Sequence, residues 1–513
     1  MSVSASKRAV LVAALVLTVT ACASSSTPSE GASPSDTGPH QGGTLHVART
    51  ESFDGWDPDK SAAYASYQTT FAVLEPLVRF APDGQSIEPG IAESWTYDPK
   101  GPSWIFTLRD GLTFSDGNPL TSEDVAFSEG VWASGPNFGA VYAGIKKVET
   151  PDERTVIFDL FDPDTTLPII LSWSASGIMP KDFGGRSRQD YFSDPIGAGA
   201  FTVTEWSPGG RIVLDRNDNY YLPDRPYLDQ IVIDVITDAN ERASLFQSGQ
   251  IDLSEYVSPQ TAPQYGDSIV ALPRSQIEHL SFNTTRPPLD DPDVRRAIAY
   301  AIDYEAIVGG PFGGYGTPPQ GIVAPNLPHS VPPSLPPFSR DLEQARSLLA
   351  GSGSPDLGTL EIVYDSGIPA DHLVAQIIQS NLAEIGIDVE LSGLETGAFL
   401  DRAFGLDADM VLWSYGAISP DAIDPIGWFL GTSWLFTGYE TDTLLDQFFA
   451  YAATESDQEK EAIITQIQDE ALENAQAVSL CEYQVLHAAS AKVHGFASAP
   501  WGLYWWDPIW LDD

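Results

Sequence analysis

Leu108–Val125 reads LRDGLTFSDGNPLTSEDV, and its acids Asp110, Asp116, Glu123 and Asp124 admit three readings: a metal loop, a catalytic cluster, or scaffold. A calcium loop needs oxygen ligands at alternate positions and then a turn-forming Gly, because the chain must wrap sharply around one ion. Counted from Asp110, the alternate positions hold Leu112 and Phe114. Counted from Asp116, Asn118 fits, but Leu120 and Thr121 stand where a ligand and the Gly belong. The metal reading fails in both registers. What remains is local structure. Trp104, Phe106 and Leu108 alternate with Ile105, Thr107 and Arg109, the period of a half-buried strand, and Asp110-Gly111 turns it into Leu112–Phe114. Ser115–Asn118 makes a second turn. Thr121 then caps a helix whose first turn holds Glu123 and Asp124, where negative charge complements the helix dipole. The acids read as structural.

At the amino terminus Lys7 and Arg8 precede an apolar run, Ala9–Ala21, too short to cross a bilayer as a helix and so read as a signal peptide over 1–21. Its end, Val19–Cys22 (VTAC), resembles the bacterial lipobox, at which lipoproteins are cut and acylated on the Cys. Residues 22–42 are rich in Ser, Pro and Gly without apolar periodicity, as a lipid-anchored tether should be. The other cysteine, Cys481, lies in a periodic C-terminal region, and an acylated Cys22 accounts for the pair better than a disulfide does.

Asp and Glu outnumber Lys and Arg by 71 to 26, a formal net charge of −45. That balance argues against nucleic acid or anionic lipid as partners, because phosphate binding draws its affinity from Lys and Arg. It is compatible with a cationic ligand, and equally with plain solubility of a surface protein. No later segment is apolar enough to span a membrane, so the membrane is reached through the lipid anchor only.

The mature chain, roughly 490 residues, is too long for one core and predicts roughly two to four domains or lobes. The first half is strand-rich: GGTLHVAR, FDLF, FTVTEW and RIVLDRNDNYY. Gly197 and Gly199 in PIGAGAFTV lack the third Gly of a dinucleotide loop and lead into a strand rather than a helix. The second half is α/β. Asp291 caps a helix beginning at Pro292, with Val294, Ala297, Ile298, Ala301 and Ile302 at helical spacing, and Asp303 caps the next turn. TLEIVY, a helix over Leu373–Ile385, GIDVEL, a further amphipathic piece and ADMVLWSY alternate as strand and helix, which implies a partly parallel sheet. TDTLLDQFFAYA and KEAIITQIQDEALENA add two amphipathic helices.

Catalytic signatures are missing. GTSWL at Gly431–Leu435 lacks the closing Gly of a nucleophile elbow. The seven His form no short-spaced pair, so no zinc site or other cofactor motif is visible, and His279 and His494 read as core or surface residues. Paired carboxylates are too abundant in so acidic a chain to signal a glycosidase.

Six separated motifs occur in one order: Leu74–Trp95 (LEPLVRFAPDGQSIEPGIAESW), Trp104–Ser128, Pro195–Trp206 (PIGAGAFTVTEW), Leu214–Tyr221 (LDRNDNYY), Leu280–Asp303 and Leu382–Leu391 (LAEIGIDVEL). The series resembles the family 5 extracellular solute-binding proteins, the peptide- and nickel-binding components of bacterial ABC importers, over nearly all of the mature chain. The resemblance implies an α/β, two-lobed clamp like other periplasmic binding proteins. Its first lobe would span 43–275, with an inserted subdomain near 72–190. A second lobe would span 276–489, and 490–513 would return to the first, where Trp501, Trp505, Trp506 and Trp510 either pack or bind a ligand.

The resemblance further implies a binding protein rather than an enzyme, without cofactor or metal. It is expected to be a monomer on the extracytoplasmic face of the cell membrane, with a permease and an ATPase as partners and a peptide or other small molecule as ligand. Peptide-binding members commonly hold the peptide's α-ammonium with an Asp shortly after a strand ending in Trp. The matching segment here is Asp409–Phe429 (DMVLWSYGAISPDAIDPIGWF), in which Gly416 stands where that Asp would be and the acids come later, at Asp421 and Asp424. Asp424-Pro425 corresponds to the acid-Pro pair ending the family loop, with a few residues inserted before it. The candidate ligand residues are therefore Trp413, Tyr415, Asp421 and Asp424, and Cys22 is the candidate lipidation site. For Asp424 a helix cap ahead of IGWFL is the competing role, and Trp413 and Tyr415 either stack on a ligand or pack. An exported hydrolase or surface adhesin is the alternative class. Opines, nickel chelates and oligosaccharides rival peptides within the first.

Overall fold

Three larger sheets and two two-stranded ones are formed by the described residues, and the opening stretch belongs to the four-stranded sheet. The structure is a computed structural model. It describes residues 38–512 except 54, 58–59, 61–63, 137–138, 354–356, 430–436 and 440, with 369, 428 and 429 described by their backbone alone. The signal peptide, Cys22, most of the 22–42 tether and the GTSWL segment lie outside the described residues. The account below concerns the compact unit His40–Asp513.

Ser103–Leu108 is a strand between Ala92–Asp98 and Thr155–Leu160, and Ile145–Asp152 completes a four-stranded antiparallel sheet. Phe106 and Leu108 face the core, as the alternation requires. Thr113 bridges Pro119, closing the second turn, and the helix Ser122–Ala133 starts at Thr121 with a reciprocal capping box. The Asp124 carboxylate accepts from the Thr121 amide at 2.7 Å and from the Lys181 amide at 2.8 Å. That acid is scaffold, as its position in the motif implied.

The larger first sheet runs Ile269–Ala271, Leu486–Ala489, Leu253–Ser254, Thr44–Arg49, Gln230–Val235, Ile212–Arg216, Phe201–Trp206. Thr44–Arg49 is parallel to both its neighbours. Leu45, Val47, Ile231, Ile233, Ile212 and Leu214 bury into one core with Phe106 and Phe158 of the small sheet. Gly197 and Gly199 precede the Phe201–Trp206 strand and lie directly against the backbone of 72–74. A Cβ at Gly197 would stand 1.8 Å from the Val73 carbonyl oxygen. These glycines permit a close backbone approach, with no phosphate loop involved.

The second sheet has the order Gly316–Thr317, Ala477–Tyr483, Gln276–Phe282, Met410–Gly416, Thr359–Asp365, Asp388–Leu394. Thr359–Asp365 is parallel to both Asp388–Leu394 and Met410–Gly416. The helix Pro369–Ala383 makes the first crossover, burying Val374, Ile378 and Leu382 against Ile362 and Leu412. Asp291 caps Pro292–Ala301 and Asp303 caps Tyr304–Gly309, as the sequence indicated. Cys481 is a free, buried thiol in this core. The chain recrosses to the first sheet at Leu486. Its end then packs: Trp501, Trp505, Trp506 and Trp510 are all buried. Among the described residues no helix is long and apolar enough to cross a membrane.

Candidate functional site

Ligands of open α/β sheets bind beyond the carboxyl ends of the parallel strands. In the second sheet two of those ends are Asp365 and Gly416. Facing them is the helix Tyr64–Thr70, whose Thr69 and Ala65 are bonded to Arg49 of the first sheet. The Tyr64 hydroxyl reaches the Gly416 carbonyl at 3.2 Å and accepts from the Gln276 amide at 3.3 Å. Further out, the Thr165 amide and hydroxyl donate to the Ala452 and Thr454 carbonyls at 2.7 and 3.0 Å. Between these contacts an apolar cluster joins Tyr67, Phe71 and Phe80 to Ile277, Ala417 and Ile426, with Trp501 and Trp505 from the chain end. A small cavity there is lined by Tyr67, Phe71, Trp173, Ala175, Ile418 and Leu503. Tyr256, ringed against Tyr64 at 6.0 Å, holds a φ of 48°. A left-handed backbone at a bulky residue is strain of the sort that clusters at ligand clamps.

The residues singled out from the sequence fall into three environments. Trp413 and Tyr415 are ring neighbours, edge to face at 5.6 Å. Trp413 packs against Val363, Phe399 and Val411, and Tyr415 against the apolar cluster of the cleft. Asp421 is fully buried and held: the Tyr451 hydroxyl donates to it, the Ile423 amide donates at 2.9 Å, and the His329 ring stands 3.3 Å away. Asp424 lies within the first turn of Ile423–Phe429 rather than ahead of it. Its carboxylate turns back to accept from the Ile418 and Ser419 amides at 2.7 and 3.2 Å. Burial pushes its pKa up to about 7, against those two amides and with help from Asp421. No Lys, Arg or His among the described residues pairs with it. Its charge also reaches Tyr64, Tyr67 and Tyr415, holding their phenols neutral after burial itself.

Sequence reasoning missed a second acidic group, on the second sheet and its crossover helix. Glu278, on Gln276–Phe282, and Asp371, in the first turn of Pro369–Ala383, are 0% and 1% exposed. Asp365 is satisfied by the Gly367 amide and Thr396 hydroxyl, both at 2.7 Å. Across from it, Glu51 accepts from the Ala65 amide at 3.2 Å. One signal for Glu278 was present in QIEHLSF: the alternation puts a carboxylate on the same face as Leu280 and Phe282. His279, on the opposite face, is buried and its pKa is depressed by burial to about 3, while His494 stacks on Trp510 and pairs with Asp512. Among the described residues no cluster of three or more His, Cys, Asp or Glu is placed to hold a metal.

The description "bacterial extracellular solute-binding proteins, family 5 Middle" matches residues 86–436. The chain belongs to that family. It is 26% identical over 431 residues to the glutathione-binding protein GsiB of Salmonella typhi, covering 80% of this chain and 83% of the relative. The periplasmic binding protein DppA of Helicobacter pylori, solved with the peptide STSA, superposes with a TM-score of 0.82 at 25% identity, covering 92% of this chain and 99% of that one. AgaA of A. tumefaciens R10, in complex with agropinic acid, gives 0.81 at 27%, again over 92% and 99%. This family 5 protein is thus a two-lobed clamp and the solute-binding component of an ABC importer, and its relatives are transporter binding proteins rather than enzymes.

Proposed function

We propose that the chain captures a peptide, or a small molecule bearing a peptide-like ammonium, between its lobes and delivers it to a membrane permease powered by a separate ATPase. Asp424 carries the reading. It is a carboxylate 9% exposed at the cleft, stapled by two amides and without a cationic partner among the described residues. A buried acid of this kind is poised for a ligand cation, because closure excludes water and strengthens the pair. Tyr64, Tyr67 and Tyr415 form the neutral wall around it. The protein works as a monomer and performs no chemistry on its ligand.

Anchoring follows from VTAC: cleavage behind Ala21 and acylation of Cys22 hold the protein on the extracytoplasmic membrane face, with residues 22–42 as tether. Cys22→Ser should release it from the membrane fraction, and undiminished retention would refute the anchor. For the ligand, mass spectrometry of small molecules released by denaturing the purified protein should return peptides. Recovery of an opine, a nickel chelate or an oligosaccharide instead would reassign the site.

A further inference from the structure

We propose that Glu278 and Asp371 form a second anionic subsite of the cleft, which takes a cationic side chain of the ligand, an ammonium or guanidinium distinct from the group at Asp424. The inference rests on the ligand reading above and narrows it to basic ligands.

Glu278 lies on the face of its strand that also carries Gln276, the residue whose amide meets the Tyr64 hydroxyl of the facing helix at 3.3 Å. Two residues of strand are about 7 Å, a depth that a Lys or Arg side chain spans. At that depth Glu278 is fully buried. One of its oxygens accepts from the Ser414 hydroxyl, and Oε1 has no hydrogen-bond partner. Asp371, entering from the crossover helix, leaves its Oδ1 equally unpartnered.

The two carboxyls are within electrostatic reach of each other. Burial first, then for Asp371 the charges of Glu278 and Asp365, raises both pKa values. Tyr483, on the neighbouring Ala477–Tyr483 strand, feels Glu278, Asp371 and the Tyr64 phenol together. No Lys, Arg or His among the described residues pairs with either acid. Two buried acids with unpartnered oxygens need a proton or a cation to offset their charge. In the empty site the raised pair retains a proton, and an entering cation displaces it. The groups that set this balance are Asp371 on the crossover helix, Asp365 on Thr359–Asp365, Ser414 on Met410–Gly416, and Cys481 and Tyr483 on Ala477–Tyr483.

Calorimetry on the full chain tests this with Ala-Ala-Ala and with tripeptides carrying Lys, Arg or Glu at each position in turn. At least one basic tripeptide should bind about tenfold or more tighter than Ala-Ala-Ala, with proton release visible as a dependence of the heat on buffer. The Glu278→Gln/Asp371→Asn double variant should keep its affinity for Ala-Ala-Ala and lose the basic preference. Wild-type binding of Ala-Ala-Ala with no preference for a basic residue would overturn the subsite and leave the peptide reading standing. So would a preference that survives in the double variant. If the wild type binds none of the peptides, the peptide reading falls and the subsite with it.

Discussion

The Tyr64 hydroxyl donates to the Gly416 carbonyl at 3.2 Å and accepts from the Gln276 amide at 3.3 Å. One phenol, on a helix bonded to Arg49 of the first sheet, is thereby tied to two adjacent strands of the second sheet. Tyr64→Phe keeps the ring that packs near Tyr67 and Tyr256 and removes these bonds, together with a longer one to the Ala417 carbonyl at 3.4 Å. The loss should be about 0.5–1.5 kcal/mol, and it should fall on the closed arrangement rather than on either core. The ligand-free variant should show a larger radius of gyration by X-ray scattering at an almost unchanged melting temperature. An unchanged radius would mean that the phenol does not restrain the lobes.

Gly197 has no such latitude. A Cβ there would meet the Val73 carbonyl oxygen at 1.8 Å, and the adjoining Gly199 amide is bonded to that same carbonyl at 2.9 Å. The obstacle is backbone, which cannot rotate aside. Gly197→Ala should cost about 1–3 kcal/mol or more. Gly101→Ala is the control, since nothing lies within 4 Å of a Cβ at that position. It should stay within about 0.5 kcal/mol of wild type by denaturant melts.

Much of this fold was legible because its signals are local. Thr121 and Asp124 lie three residues apart and cap one helix end, and Asp291-Pro292 announces the next. The alternation of TLEIVY and ADMVLWSY with helices between them forecast the parallel strands of the second sheet. The site was less legible, because its partners are distant in sequence. Tyr64 and Gly416 are 352 residues apart, and nothing near Tyr64 marks it. Asp421 and Asp424 are both candidate ligand residues in the sequence, three positions apart in one loop. Tyr451 and His329, which distinguish them, come from elsewhere in the chain.

That difference predicts a scaffold role for Asp421. Its carboxylate satisfies the Tyr451 hydroxyl, the Ile423 amide and the His329 ring, so Asp421→Asn should cost about 1–3 kcal/mol of folding stability while leaving ligand affinity nearly unchanged. His329 supplies a pH signature. Its pKa is raised, first by the hydrogen bond to Asp421, against burial. A raised histidine contributes stability that is complete below its unfolded pKa of about 6.5 and is lost as pH rises through the higher folded value. Melting of the wild type should therefore fall with pH above that point, and the fall should be shallower in Asp421→Asn. Identical slopes would remove the His329–Asp421 pair from the account.

Asp424 carries the opposite expectation, loss of binding with little loss of fold. Its pKa stands at about 7 through burial, whereas an unfolded Asp titrates near about 3.9. Between those values the folded state holds the extra proton, so this group makes stability fall as pH rises through the window. Asp424→Asn should flatten that part of the profile and be relatively more stable above pH 7. Binding runs the other way. A ligand ammonium pairs with the carboxylate, so a proton on Asp424 competes with it, and affinity should climb towards pH 7. The climb ends where the ligand's own amino group deprotonates, at about 7.7–8.0 for an α-amine. Removing the charge strands a buried cation at a cost of roughly 3–5 kcal/mol, a loss of affinity of about a hundredfold or more. Calorimetry with the copurified ligand across this pH range reads both effects at once. If Asp424→Asn binds as tightly as wild type with the same pH profile, the carboxylate only staples Ile418 and Ser419, and the ammonium is held elsewhere.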